Sequence, residues 1–139
     1  MRNLLLALTT LALLGVLAAV GWVGCGQRPR LDVITSVDEK GRVVFEVPRS
    51  DVNGLLSLKV ADESGKLLWE VDMSYEKGTQ ITYGILPTGG NMTARQIVPA
   101  DGAAPPDIRG RRVHIHVEYQ YDEFMAPSAG HFEKFIDVP

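Results

Sequence analysis

Between Arg111 and Tyr121 the chain alternates without an error, Val113, Ile115, Val117, Tyr119 and Tyr121 against Arg112, His114, His116, Glu118 and Gln120. Successive side chains of a β-strand point to opposite faces, so this period-two pattern puts five apolar groups on one side and five polar ones on the other. A slip of one residue would turn all five apolar groups to water, which makes the pairing register of this strand firm. The five also need a second apolar layer to cover them, and that requirement points to layered β architecture.

The rest of the chain after residue 30 supplies such a layer. Leu31–Thr35 reads as a strand closed by Asp38-Glu39-Lys40-Gly41, and Arg42–Val47 follows with Val43, Phe45 and Val47 on one face. Leu56, Leu58 and Val60 alternate with Ser57 and Lys59, and the turn Asp62-Glu63-Ser64-Gly65 joins them to Lys66–Met73 as a hairpin, with Leu67, Trp69, Val71 and Met73 facing one way. Gln80–Leu86 carries Ile81, Tyr83 and Ile85 in register, and Asn91–Val98 is a weaker strand. Pro99–Gly110 is a proline-rich connection long enough to be a crossover or a functional loop. Asp122–His131 reads as a second long loop, and Phe132–Val138 as the closing strand. No segment of this part has helical periodicity over ten residues.

Short strands with turn signals every eight to twelve residues predict an all-β antiparallel sandwich of about seven to eight strands. The pattern resembles the immunoglobulin and fibronectin type III sandwiches in architecture, without the buried disulfide of antibody domains, because Cys25 is the one cysteine in the chain.

Ahead of this domain, Met1-Arg2-Asn3 is a short basic start and Leu4–Gly24 runs without a charge up to Cys25. A basic n-region, an apolar h-region and small residues at a cleavage point are the parts of an export signal. Trp22-Val23-Gly24-Cys25 resembles the lipobox of bacterial lipoprotein precursors, with Trp22 where that pattern commonly has Leu. The resemblance implies a signal peptide over 1–24, a diacylglycerol on Cys25, a spacer over 25–30, and a domain over 31–139 tethered to a membrane outside the cytoplasm. The same apolar run also has the length of an uncleaved span, for which about 20 residues suffice, with Trp22 in the interfacial belt. Cleavage after Ala19-Val20-Gly21 would instead release a soluble exported protein.

Charge narrows the partners. The whole chain carries a formal −3, and without residues 1–24, where Arg2 is the one charge, it carries −4. A mildly acidic domain with no basic stripe is a poor match for nucleic acid, which needs clustered Lys and Arg. Arg109, Arg111 and Arg112 are the nearest approach to one.

The residues with chemical promise are few. His114-Ile115-His116-Val117-Glu118 places two imidazoles and a carboxylate on one strand face about 7 Å apart, which suits a zinc or copper ion. The His-x-His pair is similar to that of cupin metal sites, although cupins place the Glu several residues farther on. Tyr75 and the Phe124-Met125 pair fall in expected loops, where aromatic groups often mark contacts. No Gly-x-Ser-x-Gly elbow, calcium loop or phosphate-cradling glycine loop is present. The sequence therefore predicts a membrane-tethered, non-catalytic binding module for a protein or glycan, needing no cofactor. The alternative is a small metal-binding protein using His114, His116 and Glu118, with His131 as a further donor.

Overall fold

Two turns of almost the same sequence, Asp38-Glu-Lys-Gly41 and Asp62-Glu-Ser-Gly65, set the hairpins at one end of the molecule. In each, the Asp carboxylate accepts from the backbone N–H two and four residues on, at 2.9 and 2.9 Å for Asp38 and at 2.9 and 3.0 Å for Asp62. In each, the glycine takes a positive φ, +73° and +85°, and donates its N–H to the Asp carbonyl. An Asp that folds its side chain back on the turn and a glycine free of the Cβ clash are what such a reversal requires. The Arg42 guanidinium, donating to Asp38 at 2.7 Å, and the Ser64 hydroxyl, donating to Asp62 at 2.6 Å, are the main reason these two carboxyls are held below the usual carboxylate range, and the backbone N–H groups add to it.

The computed structural model describes residues 31–47, 52–76, 79–88, 93–123 and 126–139. The expected signal peptide, Trp22, Cys25 and the spacer lie outside the described residues, as do Phe124, Met125 and the side chain of Tyr75. The strands are β1 (Ile34–Val37), β2 (Val43–Val47), β3 (Val52–Asp62), β4 (Leu67–Glu76), β5 (Thr79–Thr82), β6 (Thr93–Val98), β7 (Arg112–Glu123) and β8 (Ala126–Asp137). They form two antiparallel sheets, of order β1-β2-β5 and β6-β4-β3-β7-β8, packed as a sandwich.

The expected all-β sandwich is therefore what the chain forms. Phe45 and Ile81 from the small sheet meet Leu58, Val60, Trp69, Val71, Val113, Ile115 and Val117 from the large one in a single core. Trp69 is fully buried, and its indole N–H donates to Gln96 Oε1 at 3.1 Å. The Gln96 amide in turn donates to the carbonyls of Pro99 and Ala103 at 2.7 and 2.9 Å. Tyr83 packs edge-on against Trp69 and Phe45, and its hydroxyl donates to the Pro106 carbonyl at 3.0 Å. With Ile108 fully buried as well, the stretch Pro99–Gly110 is a pinned crossover from edge strand β6 to β7 within the large sheet. At the lead-in to β1, Asp32 pairs with Lys134 of β8 at 3.2 Å.

Five expectations change. Leu56 does not share a face with Leu58 and Val60: the register shifts between Leu55 and Ser57 on both neighbouring strands, and this β-bulge buries Leu55 and turns Leu56 outward. A second shift, between Val60 and Ala61 against β4, brings Leu68 inward beside Trp69. Strand β5 ends at Thr82, and a turn at Tyr83-Gly84 leaves Ile85 exposed. The stretch expected as a loop over Asp122–His131 is strand at both ends, because β7 continues to Glu123 and β8 begins at Ala126, with Tyr121 opposite Ser128 and Asp122 opposite Pro127. Tyr75, likewise expected in a loop, lies on β4 opposite Leu55.

Candidate functional site

Extension of β8 back past His131 is what completes the site. Val138 N donates to Arg111 O at 2.9 Å, and from that hydrogen-bonded pair the ladder runs down the hairpin. Three, five and seven steps along it come the pairs His114↔Phe135, His116↔Glu133 and Glu118↔His131. An odd number of steps makes each a non-hydrogen-bonded pair, where Cα atoms are about 4.5 Å apart and side chains meet most closely. All six side chains stand on the face turned away from the core, since Val113, Ile115 and Val117 between them are buried.

The three histidines of the chain thus share one surface. His116 is the centre of the group. Its Nδ1 lies 3.1 Å from Glu133 Oε1 and its Nε2 3.4 Å from Glu118 Oε1. His131 stacks on it with ring centroids 5.9 Å apart and planes 11° from parallel. His114 Nε2 reaches the other oxygen of Glu133 at 3.6 Å. At the upper end the His114 ring lies 4.7 Å from that of Phe135, over which the Arg112 guanidinium sits at 5.4 Å. A depression of about 300 Å³ opens here, lined by Leu56, His116, Glu118, Gly130, His131 and Glu133.

Local sequence explains the shape. Gly130 sits opposite Tyr119 on the inward side, where a Cβ would come within 2.7 Å of the Tyr119 ring. Tyr119 occupies the volume that any other residue at 130 would need, and the ring covers the bare backbone of the strand, as aromatic partners of glycine do in sheets. The bulge at Leu56 brings an apolar side chain to the rim of the depression. Beneath the same face lies Ser57, opposite both Glu118 and Asp72, buried and with no hydrogen-bond partner for its Oγ.

The structure sets His114, His116 and Glu118 on one face of β7, places His131 beside His116, and adds Glu133, Phe135, Arg112 and Leu56. Glu133 and Phe135 were within reach of sequence reasoning, since His131, Glu133 and Phe135 continue one period-two series. Of the expected contact residues, Tyr75 lies on β4 level with Leu55 and Tyr119, two strands away from β7, and its side chain, like Phe124 and Met125, lies outside the described residues. No three His, Cys, Asp or Glu side chains among the described residues already surround a common point.

A second depression, of about 390 Å³, lies between the Asp38–Gly41 turn and Pro105–Arg109. Four of the charged groups at or beside it are paired, Arg42 with Asp38 and Arg109 with Asp107, each at 2.6 Å. The Arg109 guanidinium holds the Asp107 carboxyl down at about 2. Burial pushes the Tyr83 hydroxyl beside it up to about 12. This arrangement ties the crossover to the small sheet, through Tyr83 to Pro106 and Arg109 to Gly41.

No protein-family profile, no curated protein and no solved structure matches the chain. A functional reading therefore rests on the residues of this chain alone.

Proposed function

We propose that the protein is an exported lipoprotein, anchored through Cys25, whose β-sandwich is a non-catalytic module that binds a protein or glycan of the cell envelope. The anchor rests on Met1–Cys25, where a basic start, an apolar run and Gly24-Cys25 follow one another in the order an export and lipidation signal needs. Two acyl chains or more hold a protein stably on a bilayer. The binding surface rests on one observation, the band Arg112, Phe135, His114, Glu133, His116 and His131 on the outer face of β7–β8. Phe135 is 48% exposed and stacked beneath an arginine, and aromatic and arginine side chains on a rigid sheet are the composition of interface anchors.

Two measurements test this. Mass spectrometry of the mature N-terminus gives a diacylated or triacylated Cys25 as the expected species, and an intact precursor with a free thiol would sink the anchor. A photo-crosslinking residue at Phe135 in living cells gives a discrete adduct absent when it is placed at Arg95, on strand β6 at the far edge of the same sheet. Adducts at both positions or at neither would sink the binding face.

A further inference from the structure

We propose that the outer face of β7–β8 binds one divalent transition-metal ion of the imidazole-preferring kind, with His116, Glu118 and His131 as its protein ligands. The inference concerns this domain alone and holds whether or not Cys25 is lipidated. It starts from the register. Positions two apart on one strand, together with the cross-strand partner of one of them, project three side chains to the same spot on a sheet face. His116, Glu118 and the Glu118 partner His131 are such a set.

The spacing of the first two donors matches an ion better than it matches a hydrogen bond. His116 Nε2 and Glu118 Oε1 are 3.4 Å apart, at the far end of the range for hydrogen bonding. Two donors on a tetrahedral zinc, each about 2.0–2.2 Å from it, lie about 3.3–3.5 Å from each other. The gap between these atoms is thus one edge of a zinc tetrahedron. The other nitrogen of the ring faces Glu133 Oε1 at 3.1 Å. A carboxylate on the second ring nitrogen is what commonly fixes the tautomer and aim of a metal-bound histidine.

The third ligand needs to turn. His131 stacks parallel to His116, and in that rotamer its nitrogens do not converge on the shared point. Its side chain is exposed on edge strand β8, over a depression large enough for the ring to swing through, so that rotation displaces no core group. His114 stays out of the set, because its ring packs on Phe135 under the Arg112 guanidinium, whose positive charge opposes a second cation there. Two imidazoles and one carboxylate favour zinc or copper over magnesium or calcium. Three protein ligands leave a fourth position open toward the depression.

The test uses the full-length chain in detergent micelles, without a histidine tag and with Cys25→Ser, since a free thiolate would itself take up zinc. Zinc is titrated in competition with a chromophoric chelator. One ion per chain is expected. His116→Ala and His131→Ala should each weaken binding at least tenfold, Glu133→Gln by roughly tenfold through loss of ring orientation, and His114→Ala by less than threefold. Because these positions face solvent, unchanged far-ultraviolet circular dichroism should accompany each variant. Absence of zinc binding, or equal binding by the His116→Ala/His131→Ala double variant, overturns the site. Nitrogen NMR of the imidazoles provides a second readout. Zinc should move the ring signals of His116 and His131 and spare those of His114, and the reverse pattern overturns the ligand assignment.

Discussion

Strands β7 and β8 are the two arms of one hairpin, and they divide the work of the molecule between them. β7 lies between β3 and β8, and its inward side chains Val113, Ile115, Val117, Tyr119 and Tyr121 are all buried. β8 is the edge, where Ile136 is buried and Phe132 packs on the core only in part. The polar outer face draws on both arms equally, through His114, His116 and Glu118 from one and His131, Glu133 and Phe135 from the other. The chemistry-bearing face can thus change on β8 at small cost to the fold, while the same face on β7 is held in place by the residues that alternate with it.

The largest effect should come from the inner side of β7. Ile115→Ala, at a fully buried position, should cost about 2–5 kcal/mol in denaturant unfolding, while Phe135→Ala on β8 should cost under about 0.5 kcal/mol, as exposed substitutions do. Comparable losses from both would erase the distinction between the arms. Gly130→Ala tests a point at which β8 depends on β7 sterically, because the new methyl meets the Tyr119 ring. Destabilisation of about 1–3 kcal/mol is expected, recovered in part by Tyr119→Leu, and a neutral Gly130→Ala would show that the ring simply moves aside.

Alkaline pH probes the core side through Tyr83. Burial raises the folded Tyr83 above its ordinary value of 10.0 to about 12. Its contribution to stability is therefore complete below pH 10 and is lost as pH rises through 12, because the unfolded state releases its proton first. Tyr83→Phe should flatten that decline in unfolding experiments from pH 9 to 12, and an unaltered slope would refute the assignment. Least of all, Ser57→Ala should leave stability unchanged or raise it by up to about 1 kcal/mol, since it removes a buried hydroxyl that has no partner. A loss exceeding that would mean that the hydroxyl is satisfied in solution.

The same contrast governs what the sequence discloses. β7 is legible because burial on one face and solvent on the other write themselves as strict alternation. In β8 the half from Phe132 onward is legible and the half from Ala126 is not. Ala-Pro-Ser-Ala-Gly has the composition of a loop, and it becomes strand because β7 offers it a ladder and Tyr119 requires a glycine opposite. Leu56 fails for another reason. Alternation assumes an unbroken ladder, and a bulge adds one residue that no pattern of polar and apolar letters announces. Of the site, the His114-x-His116-x-Glu118 series was visible within one strand. Its counterpart on β8 depended on a pairing that only the fold supplies.

The ion pair between Asp32 and Lys134 has a consequence for reach. It ties the start of the domain to the position next to Glu133, seven residues after Cys25 in the chain. Seven residues fully extended span about 25 Å at most. On the proposed attachment at Cys25, Asp32 is leashed within that radius of the bilayer surface, and the histidine face is carried with it through the pair to Lys134. Encounters are then confined to a thin shell, where a membrane-borne partner meets it at the raised effective concentration of a short tether.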